Sequence, residues 1–316
     1  DSAGTEIRGI DSADQLVGIR SNIYGNYILN RDITWDAERY PETDPYVYYI
    51  PSFYGDIDLQ GHTFHQTRQG RLISNLGSAA KKQGSIRNGT IWLDIERTKD
   101  WSYNYFLGST HGTLENLNFR LAIRDQKNGD STYNRRYWTK VSGNVIGSNY
   151  GTIRNFTVNY EEELGSAQWA SFLYGNYGLV ENGYAYGKGV RGGGRVGGII
   201  AQNMSRGTAR YLYSLVNARS NDTKYVDNGA YYTSYNGTVI AENSGKAYGL
   251  LSTGNTYTYT TTISGTNYEF DNEMNYSLKG NTVGVTDTKM DTKDCYYATV
   301  GNDSRVDYAD LRNERV

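Results

Sequence analysis

The most regular feature of the chain is a recurring order of apolar and polar positions. An apolar pair is followed by a small polar turn, a glycine and an apolar-x-Asn-apolar run, as in VIGSNYGTIRNF at residues 145–156. Four further segments follow this order, one of them loosely: residues 106–117, 172–182, 199–209 and 239–247. Taking the second apolar residue of each pair as equivalent gives spacings of 39, 27, 27 and 40 residues between Leu107, Ile146, Leu173, Ile200 and Ile240. The base period is therefore 27 residues, with roughly a dozen extra residues in two intervals.

The stretches between the turns predict strands rather than helices. They are short and rich in Gly, Asn, Thr and Tyr, and their apolar residues alternate, as at Ile153, Phe156 and Val158. Strand-turn-strand units that repeat in one direction stack in parallel, about 4.8 Å per rung. We therefore predict an all-β fold, a right-handed parallel β-helix (solenoid) that spans residues 1–316 as a single domain of roughly nine to eleven rungs.

Asparagine and glycine recur at fixed positions of the repeat. Stacked amides can hydrogen-bond along the axis of a solenoid, and asparagine also tolerates the left-handed turn conformation, so two explanations stand beside each other. We expect the recurring glycine to mark positive φ angles or close approach between rungs. The predicted asparagine ladder consists of Asn88, Asn116, Asn155 and Asn182.

The two ends of the chain differ from the middle. Residues 9–24 carry a helix signature, with Asp11 or Ser12 as N-cap and Gln15 placed to reach back, and such a helix would cover the open first rung. Residues 27–33 are then predicted to contain the first strand. Residues 252–316 contain little of the repeat and are interpreted as degenerate last rungs and a C-terminal cap.

Composition narrows the classes of partner. The chain is only 37% hydrophobic, yet it has 31 tyrosines and 37 glycines, which suits a thin structure with much surface. The net charge of −2 gives no excess of basic residues for nucleic acid, and no apolar run approaches the ~20 residues of a membrane span. One cysteine excludes an internal disulfide. Because the sequence starts at Asp1 without a signal peptide, we interpret it as a mature or excised part of a larger parent protein with other domains.

Several segments resemble bacterial proteins that carry the Glug motif. They are IDSADQLVGIRSNIYGNYILNRDI at 10–33, FYGDIDLQGHTF at 53–64, the VIGSNYGTIRNF-type repeats and DCYYATVGNDSRVDYADL at 294–311. The resemblance covers most of the chain and is most specific at 145–156 and 172–182. It implies a large secreted or wall-attached protein, in which β-helix segments stand beside adhesion or protease modules. The implied location is secreted or at the bacterial cell surface.

The sequence contains few residues that could serve as the catalytic groups of a β-helix enzyme. Glycoside hydrolysis needs two carboxyl groups about 5–10 Å apart, and residues i and i+2 of a strand share a face. Asp56 with Asp58, and Asp94 with Glu96, are candidate pairs, although polar positions on a solvent face are the favoured interpretation. The three histidines are scattered, at His62, His65 and His111. We predict no catalytic residue, no metal site and no cofactor.

Aromatic residues in two insertions are the predicted binding residues. The long intervals place extra residues at 124–140 and 218–236, at about the same point of the rung. Rigid aromatic groups beside polar ones suit contact with a glycan or a protein, and the alternative is that they pack each loop against its own solenoid. The first insertion contributes Tyr133, Arg135, Arg136, Tyr137 and Trp138; the second contributes Tyr225, Tyr231, Tyr232 and Tyr235; a nearby cluster adds Trp101, Tyr103 and Tyr105.

The function predicted from the sequence is a non-catalytic bacterial surface or secreted β-helix module, adhesive, ligand-binding or a structural spacer. Its expected partner is a host or microbial glycan or a surface protein. Two alternatives stay open: a β-helix polysaccharide lyase or glycoside hydrolase, and the non-catalytic segment of a larger secreted protease.

Overall fold

The fold was obtained as a computed structural model. It describes residues 6–35, 48–67, 70–81, 83–97, 105–125, 143–165, 169–192, 194–221, 225–227, 230–232, 235–254, 256–259, 277–279, 283–286 and 292–297. Side chains from residue 220 to 235, and those beyond 254, lie outside this description.

The described elements are nearly all strands. The N-terminal part contains helix α1 (Ala13–Gly18), a 3-10 turn (Ile19–Ser21) and strands β1 (Ile7–Ile10), β2 (Asn26–Leu29), β3 (Ile33–Trp35), β4 (Tyr48–Phe53), β5 (Asp56–Asp58), β6 (Thr63–Gln66), β7 (Arg71–Leu76) and β8 (Ser85–Arg97). The middle part contains β9 (Leu107–Thr110), β10 (Thr113–Asp125), β11 (Gly143–Asn149), β12 (Thr152–Tyr160), β13 (Leu164–Gly165), β14 (Trp169–Asn176), β15 (Leu179–Gly187), β16 (Val190–Gly192), β17 (Arg195–Gly197), β18 (Ile200–Asn203), β19 (Thr208–Ser214) and β20 (Ala218–Asn221). The C-terminal part contains β21 (Tyr225–Asp227), β22 (Ala230–Tyr232), β23 (Tyr235–Gly237), β24 (Ile240–Asn243), β25 (Lys246–Ser252), β26 (Thr256–Tyr259), β27 (Ser277–Lys279), β28 (Val283–Thr286) and β29 (Thr292–Tyr297).

These strands form parallel sheets, so the predicted all-β parallel class is correct. The large sheet has twelve strands, with β1-β2-β5-β8-β10-β12-β15-β19-β25-β29 as its main path and β3 and β6 beside it. The second sheet has ten strands, with the main path β28-β24-β18-β14-β11-β9-β7-β4. The third sheet, β13-β16-β20-β26-β27, is parallel except for the pair β26 and β27, and β21 with β22 forms an antiparallel hairpin.

The strand register confirms the repeat alignment. In the second sheet each aligned apolar residue pairs with the next one along the series Leu107, Ile146, Leu173, Ile200 and Ile240. In the large sheet the second apolar position of the repeat pairs in the same way along Leu114, Ile153, Val180, Ala209 and Ala247. Neighbouring strands of these two sheets therefore come from successive repeats.

One hydrophobic core runs between the sheets. It extends from Ile10 near the N-terminus to Leu250, and Ile146, Leu173 and Ile200 within it are completely inaccessible to solvent. Because successive side chains of a strand point to opposite faces, the alternating residues leave one face of the large sheet to solvent. Polar and aromatic residues occupy that outer face, which becomes the surface of functional interest.

A column of glycines stands at the turn that leads into the large sheet. The residue after Gly151 donates its N–H to Gly112, and the residue after Gly178 donates to Gly151, at 2.9 Å in both cases. A β-carbon at Gly151 would overlap the carbonyl oxygen of Gly112. The expected close approach between rungs is therefore present. The column consists of Gly25, Gly55, Gly84, Gly112, Gly151, Gly178, Gly207 and Gly245.

The N-terminal helix is confirmed in position and capping but is shorter than predicted. Ser12 is the N-cap and its hydroxyl accepts the N–H of Gln15, while the Gln15 side chain accepts the N–H of Asp11 at 2.6 Å. The helix buries Leu16 against the core. The prediction that residues 27–33 contain the first strand is wrong, because β1 precedes α1 and pairs with β2 at the end of the large sheet.

Asparagine side chains form two ladders. In the first, the Nδ2 atoms of Asn116, Asn155 and Asn182 each donate to the Oδ1 atom of the preceding rung at 2.9–3.1 Å, beginning at Asn88. These four residues also have φ angles of 53–59°. The amide ladder and the left-handed turn conformation, offered as alternatives by the sequence, therefore occur together.

The second ladder is buried and escaped the sequence analysis. Asn149, Asn176 and Asn203 each donate to the Oδ1 atom of the next rung at 2.7–2.9 Å, and the series ends at Asn243. The side chains are at most 1% exposed. Each of the three also donates to a backbone carbonyl of the next strand in the large sheet. This ladder joins the second sheet to the large sheet at their shared turn.

Candidate functional site

Most of the predicted binding residues lie outside the part of the chain that the structure describes. Seven lie outside the described residues: Trp101, Tyr103, Tyr133, Arg135, Arg136, Tyr137 and Trp138. The other four lie in strands whose backbone alone is described, with Tyr225 in β21, Tyr231 and Tyr232 in β22, and Tyr235 in β23. Residues 218–221 form a strand of the third sheet, so the second insertion begins later than predicted. The binding role of these residues stays a prediction.

Tyr105 requires a correction. Only 1% of the residue is exposed, and its backbone N–H donates to the carbonyl oxygen of Asn144 at 3.0 Å. The ring belongs to the hydrophobic core between the sheets. Tyr105 therefore cannot present its ring to a ligand on the surface.

The candidate acidic pairs hold successive rungs together. Asp56 accepts a hydrogen bond from the Ser85 hydroxyl at 2.6 Å, and Asp58 accepts from Arg87 at 3.2 Å and from Asn88 at 3.1 Å. These partners belong to β8, the next strand of the large sheet. A role in rung-to-rung contact therefore accounts for both carboxylates.

In the second candidate pair, Asp94 has a comparable environment, whereas Glu96 is exposed. Asp94 forms an ion pair with Arg124, and its Oδ2 atom lies 3.7 Å from Nε2 of His65. Burial, opposed by the charge of Asp94, lowers the pKa of His65 below its ordinary value. The His65 ring stacks on the Trp92 ring, with 3.9 Å between the two ring centres. The guanidinium carbon of Arg120 lies 4.2 Å from the centre of the Trp92 ring. These side chains pack densely against one another on the outer face.

Charges alternate in sign along one column of this face. The column runs across six consecutive rungs through Asp58, Arg87, Glu115, Arg154, Glu181 and Arg210. Three ion pairs follow it: Arg87 with Asp58 at 3.2 Å, Arg154 with Glu115 at 2.6 Å, and Arg210 with Glu181 at 2.5 Å. We call this column the charge ladder. The three acidic and three basic residues of the charge ladder balance one another.

Tyrosines cluster where the charge ladder ends. Tyr184 stacks on Tyr186 of its own strand at 5.2 Å and on Tyr213 of the next rung at 5.3 Å. On the neighbouring columns, the ring of Tyr211 meets the ring of Tyr248 edge to face at 5.8 Å. Together these residues form a half-buried to exposed aromatic surface on three adjacent strands, β15, β19 and β25. We call it the tyrosine patch: Tyr184, Tyr186, Arg210, Tyr211, Tyr213 and Tyr248.

Arg210 supplies the charge within the patch. It donates to the Tyr248 hydroxyl at 3.0 Å and to the Glu181 carboxylate at 2.6 Å. These two hydrogen bonds, with that to Tyr248 the larger influence, raise the pKa of Arg210 above its ordinary value. Burial and the neighbouring hydroxyls of Tyr213 and Tyr186 raise the pKa of Tyr184. At neutral pH the patch therefore offers the protonated hydroxyl of Tyr184 and a charged guanidinium as hydrogen-bond donors.

Tyr211 is the unusual member of the patch. It follows Asn182 in the column of left-handed residues, has a φ angle of 54° and is succeeded by Gly249 with a φ of 64°. Left-handed backbone disfavours bulky side chains, and the earlier rungs place asparagine there. Tyr211 is also 56% exposed, so its ring is held out to solvent from a conformation that suits it poorly.

A regular spacing of tyrosines in the sequence indicates the tyrosine patch, although the sequence-based prediction placed the binding residues in the insertions. Tyr184 and Tyr186 are two residues apart, as are Tyr211 and Tyr213, and two-residue spacing places side chains on one face of a strand. The inward positions of the same strands are apolar or small, which assigns the tyrosines to the outer face. The signal becomes readable only after the register is fixed.

The part of the chain that the structure describes holds neither a cluster of metal ligands nor a membrane-spanning helix. Within it, no three His, Cys, Asp or Glu side chains group closely enough to hold a metal ion. The same residues include no helix long and apolar enough to cross a bilayer.

Comparisons of the chain with protein-family models, curated proteins and solved structures found no match in any of the three. The Glug-motif resemblance therefore stays a prediction.

Proposed function

We propose that this protein is a non-catalytic ligand-binding module, built as a right-handed parallel β-helix and secreted by, or displayed on, a bacterial cell. Its partner is a glycan or a protein on a host or microbial surface. The observation that carries the proposal is the tyrosine patch on the outer face of the large sheet.

The β-helix is supported by the order in which the chain visits the sheets. From residue 143 to residue 259 each repeat contributes first to the second sheet, then to the large sheet and then to the third sheet, as β11, β12 and β13 do. The next repeat pairs with it in parallel at every sheet. Connections between parallel strands of one sheet are nearly always right-handed, and we assign that hand here.

Binding is supported by the nature and rigidity of the exposed groups. Tyrosine and arginine dominate the energetics of recognition surfaces, because they combine a large contact area with directional hydrogen bonds. In the tyrosine patch both residue types stand on paired strands rather than on loops. Such a surface loses little conformational entropy when a ligand binds.

A non-catalytic role is supported by the environment of the candidate carboxylates. Asp56, Asp58 and Asp94 each have a partner in a neighbouring rung, which gives them a structural purpose. The bacterial surface or secreted location is proposed from the Glug-motif resemblance.

Binding of the labelled full chain to host cells and bacterial cells, in parallel with an assay for reducing ends and unsaturated sugars, tests this function. We expect saturable binding and no product from polysaccharides. Turnover that Asp56→Asn or Asp94→Asn abolishes would contradict the non-catalytic assignment. Absence of binding to every surface tested would leave only the spacer role.

A further inference from the structure

We propose that the tyrosine patch binds an uncharged glycan, and that Tyr211 provides the ring on which a sugar stacks. The inference rests on the proposed function, since it assigns a ligand class to the same surface.

The backbone at Tyr211 is the first argument. Four earlier rungs place asparagine at this column and the following rung places glycine, the two residue types that adopt a left-handed conformation most readily. A tyrosine there works against local stability. Unfavourable backbone conformations persist where surrounding structure enforces them, and they concentrate at ligand-binding sites.

The placement of the ring is the second argument. A β-carbon at residue 249 would come within 2.7 Å of Cδ1 of Tyr211, so Gly249 leaves the space into which the ring leans. Tyr248 meets the ring edge to face at 87°, and the Arg210 guanidinium carbon lies 5.8 Å from the ring centre. The ring is thus positioned before a ligand arrives and still remains 56% exposed.

The hydrogen-bonding groups around the ring suit hydroxyl groups. Arg210 and the tyrosine hydroxyls are donors, and Glu181 is an acceptor. Asn182 donates to Asn155 but ends the exposed ladder, because Tyr211 instead of an amide follows it in the next rung. The ladder hydrogen bond that Asn155 accepts from Asn182 therefore has no counterpart at the Oδ1 atom of Asn182. Donors and acceptors at the rim of an aromatic ring match the alternating hydroxyls of a pyranose.

Charge and apolar content favour a neutral glycan over an acidic glycan or a protein. The carboxylate of Glu181 lies 2.5 Å from the guanidinium of Arg210 and balances its charge. The centre of a protein interface is depleted in charge and rich in apolar groups. Among the described residues the large exposed hydrophobic side chains are Ile7, Tyr24, Tyr150, Tyr211 and Leu215, and of these only Tyr211 belongs to the patch.

Calorimetric titration of the full chain with chitohexaose, cellohexaose, laminarihexaose and mannohexaose tests the inference, with hexagalacturonate as the charged comparison. We expect at least one neutral hexasaccharide to bind, and Tyr211→Asn to weaken it about tenfold or more. The melting temperature of Tyr211→Asn should equal or exceed that of the wild type, because asparagine suits the left-handed backbone. A purely structural role for Tyr211 predicts a lower melting temperature and unchanged affinity. Tyr24→Asn, at a ring with 54% exposure outside the patch, is the matched control and should bind like the wild type.

Three results would overturn the inference: no binding to the four neutral sugars, unchanged affinity in Tyr211→Asn, or tighter binding of hexagalacturonate. Treating the cell surfaces with periodate or with protease distinguishes failure of the glycan inference from failure of the proposed function. Cell binding that survives periodate but not protease indicates a protein partner, in which case the glycan inference fails and the binding function stands. If the wild-type chain binds none of the untreated surfaces, both the glycan inference and the proposed binding function fail.

Discussion

Asn176 illustrates how one polar residue can join four groups within a closed interior. Its Nδ2 atom donates to Asn203 and to the carbonyl oxygen of Thr208, while its Oδ1 atom accepts from Asn149 and from the N–H of Gly178. Asparagine has both donors and acceptors on one short side chain, so an identical residue in every rung can satisfy its neighbours. The exposed ladder uses the same amide chemistry where water can replace a lost partner.

This difference between the two ladders predicts unequal mutational costs. Asn176→Ala leaves buried partners unsatisfied on both sides and should lower the free energy of unfolding by about 3 kcal/mol or more. Asn116→Gly removes an exposed amide at a φ of 54°, where glycine is favourable, and should change stability by roughly 1 kcal/mol or less. Urea denaturation of both variants compares them. Equal losses of stability would show that burial of the ladder has no energetic importance.

At the scale of elements, the large sheet combines an inner face set by packing with an outer face set by pairing of charges. Opposite charges on neighbouring strands stabilise a sheet modestly, and like charges in the same place destabilise it. In the charge ladder each interior member has an opposite charge on both sides. The ladder therefore favours the observed register over one shifted by a single residue along the strand, which would also turn the apolar residues outward.

Arg154 tests this contribution. Arg154→Glu would place acidic side chains at three consecutive rungs, with Glu115 and Glu181 on either side, and should cost about 1 kcal/mol at low ionic strength. Salt at roughly 0.5 M should recover part of the loss because it screens exposed charges. Arg154→Gln is the control, and its smaller cost should depend little on salt. A salt-independent loss in Arg154→Glu would argue against repulsion as the cause.

The sequence predicted the elements better than the surface. The apolar spacing fixed the register of Ile146, Leu173 and Ile200 because those side chains must share an interior. Strand β1 was missed because three of its four residues are exposed and carry no alternating pattern. Tyr105 was misassigned because it was grouped with Trp101 and Tyr103 in one aromatic cluster, whereas packing between the sheets decided its place. Outward residues such as Tyr211 do not follow the repeat, so only the paired strands reveal their neighbours.

At the scale of the whole molecule, the described strands of the two main sheets contact chiefly the rung before and the rung after. In the proposed β-helix, stability is approximately a sum of one term for each repeat and one term for each contact between neighbouring repeats. The effect of a damaged rung should therefore decline with distance along the axis.

Leu173 lies in a central rung and provides the test. The side chain is fully buried between Ile146 and Ile200, so Leu173→Ala should lower the free energy of unfolding by about 2–5 kcal/mol. Hydrogen exchange should accelerate most in β11, β14 and β18 and least in β1 and β2. Leu215→Ala, at 39% exposure, should cost about 0.5 kcal/mol or less. Uniform loss of protection along the chain would indicate a single cooperative unit instead.

The glycine column restricts how this protein can change over generations. Every rung from Gly55 to Gly245 must keep a residue without a side chain at the turn into the large sheet, so a duplicated 27-residue unit remains viable only if its glycine is copied intact. The corner between the large sheet and the next strand of the second sheet differs from it, because both long intervals fall there. Lineages descended from this sequence should therefore vary in loop length and loop chemistry at that single corner, while the glycine corner stays nearly invariant.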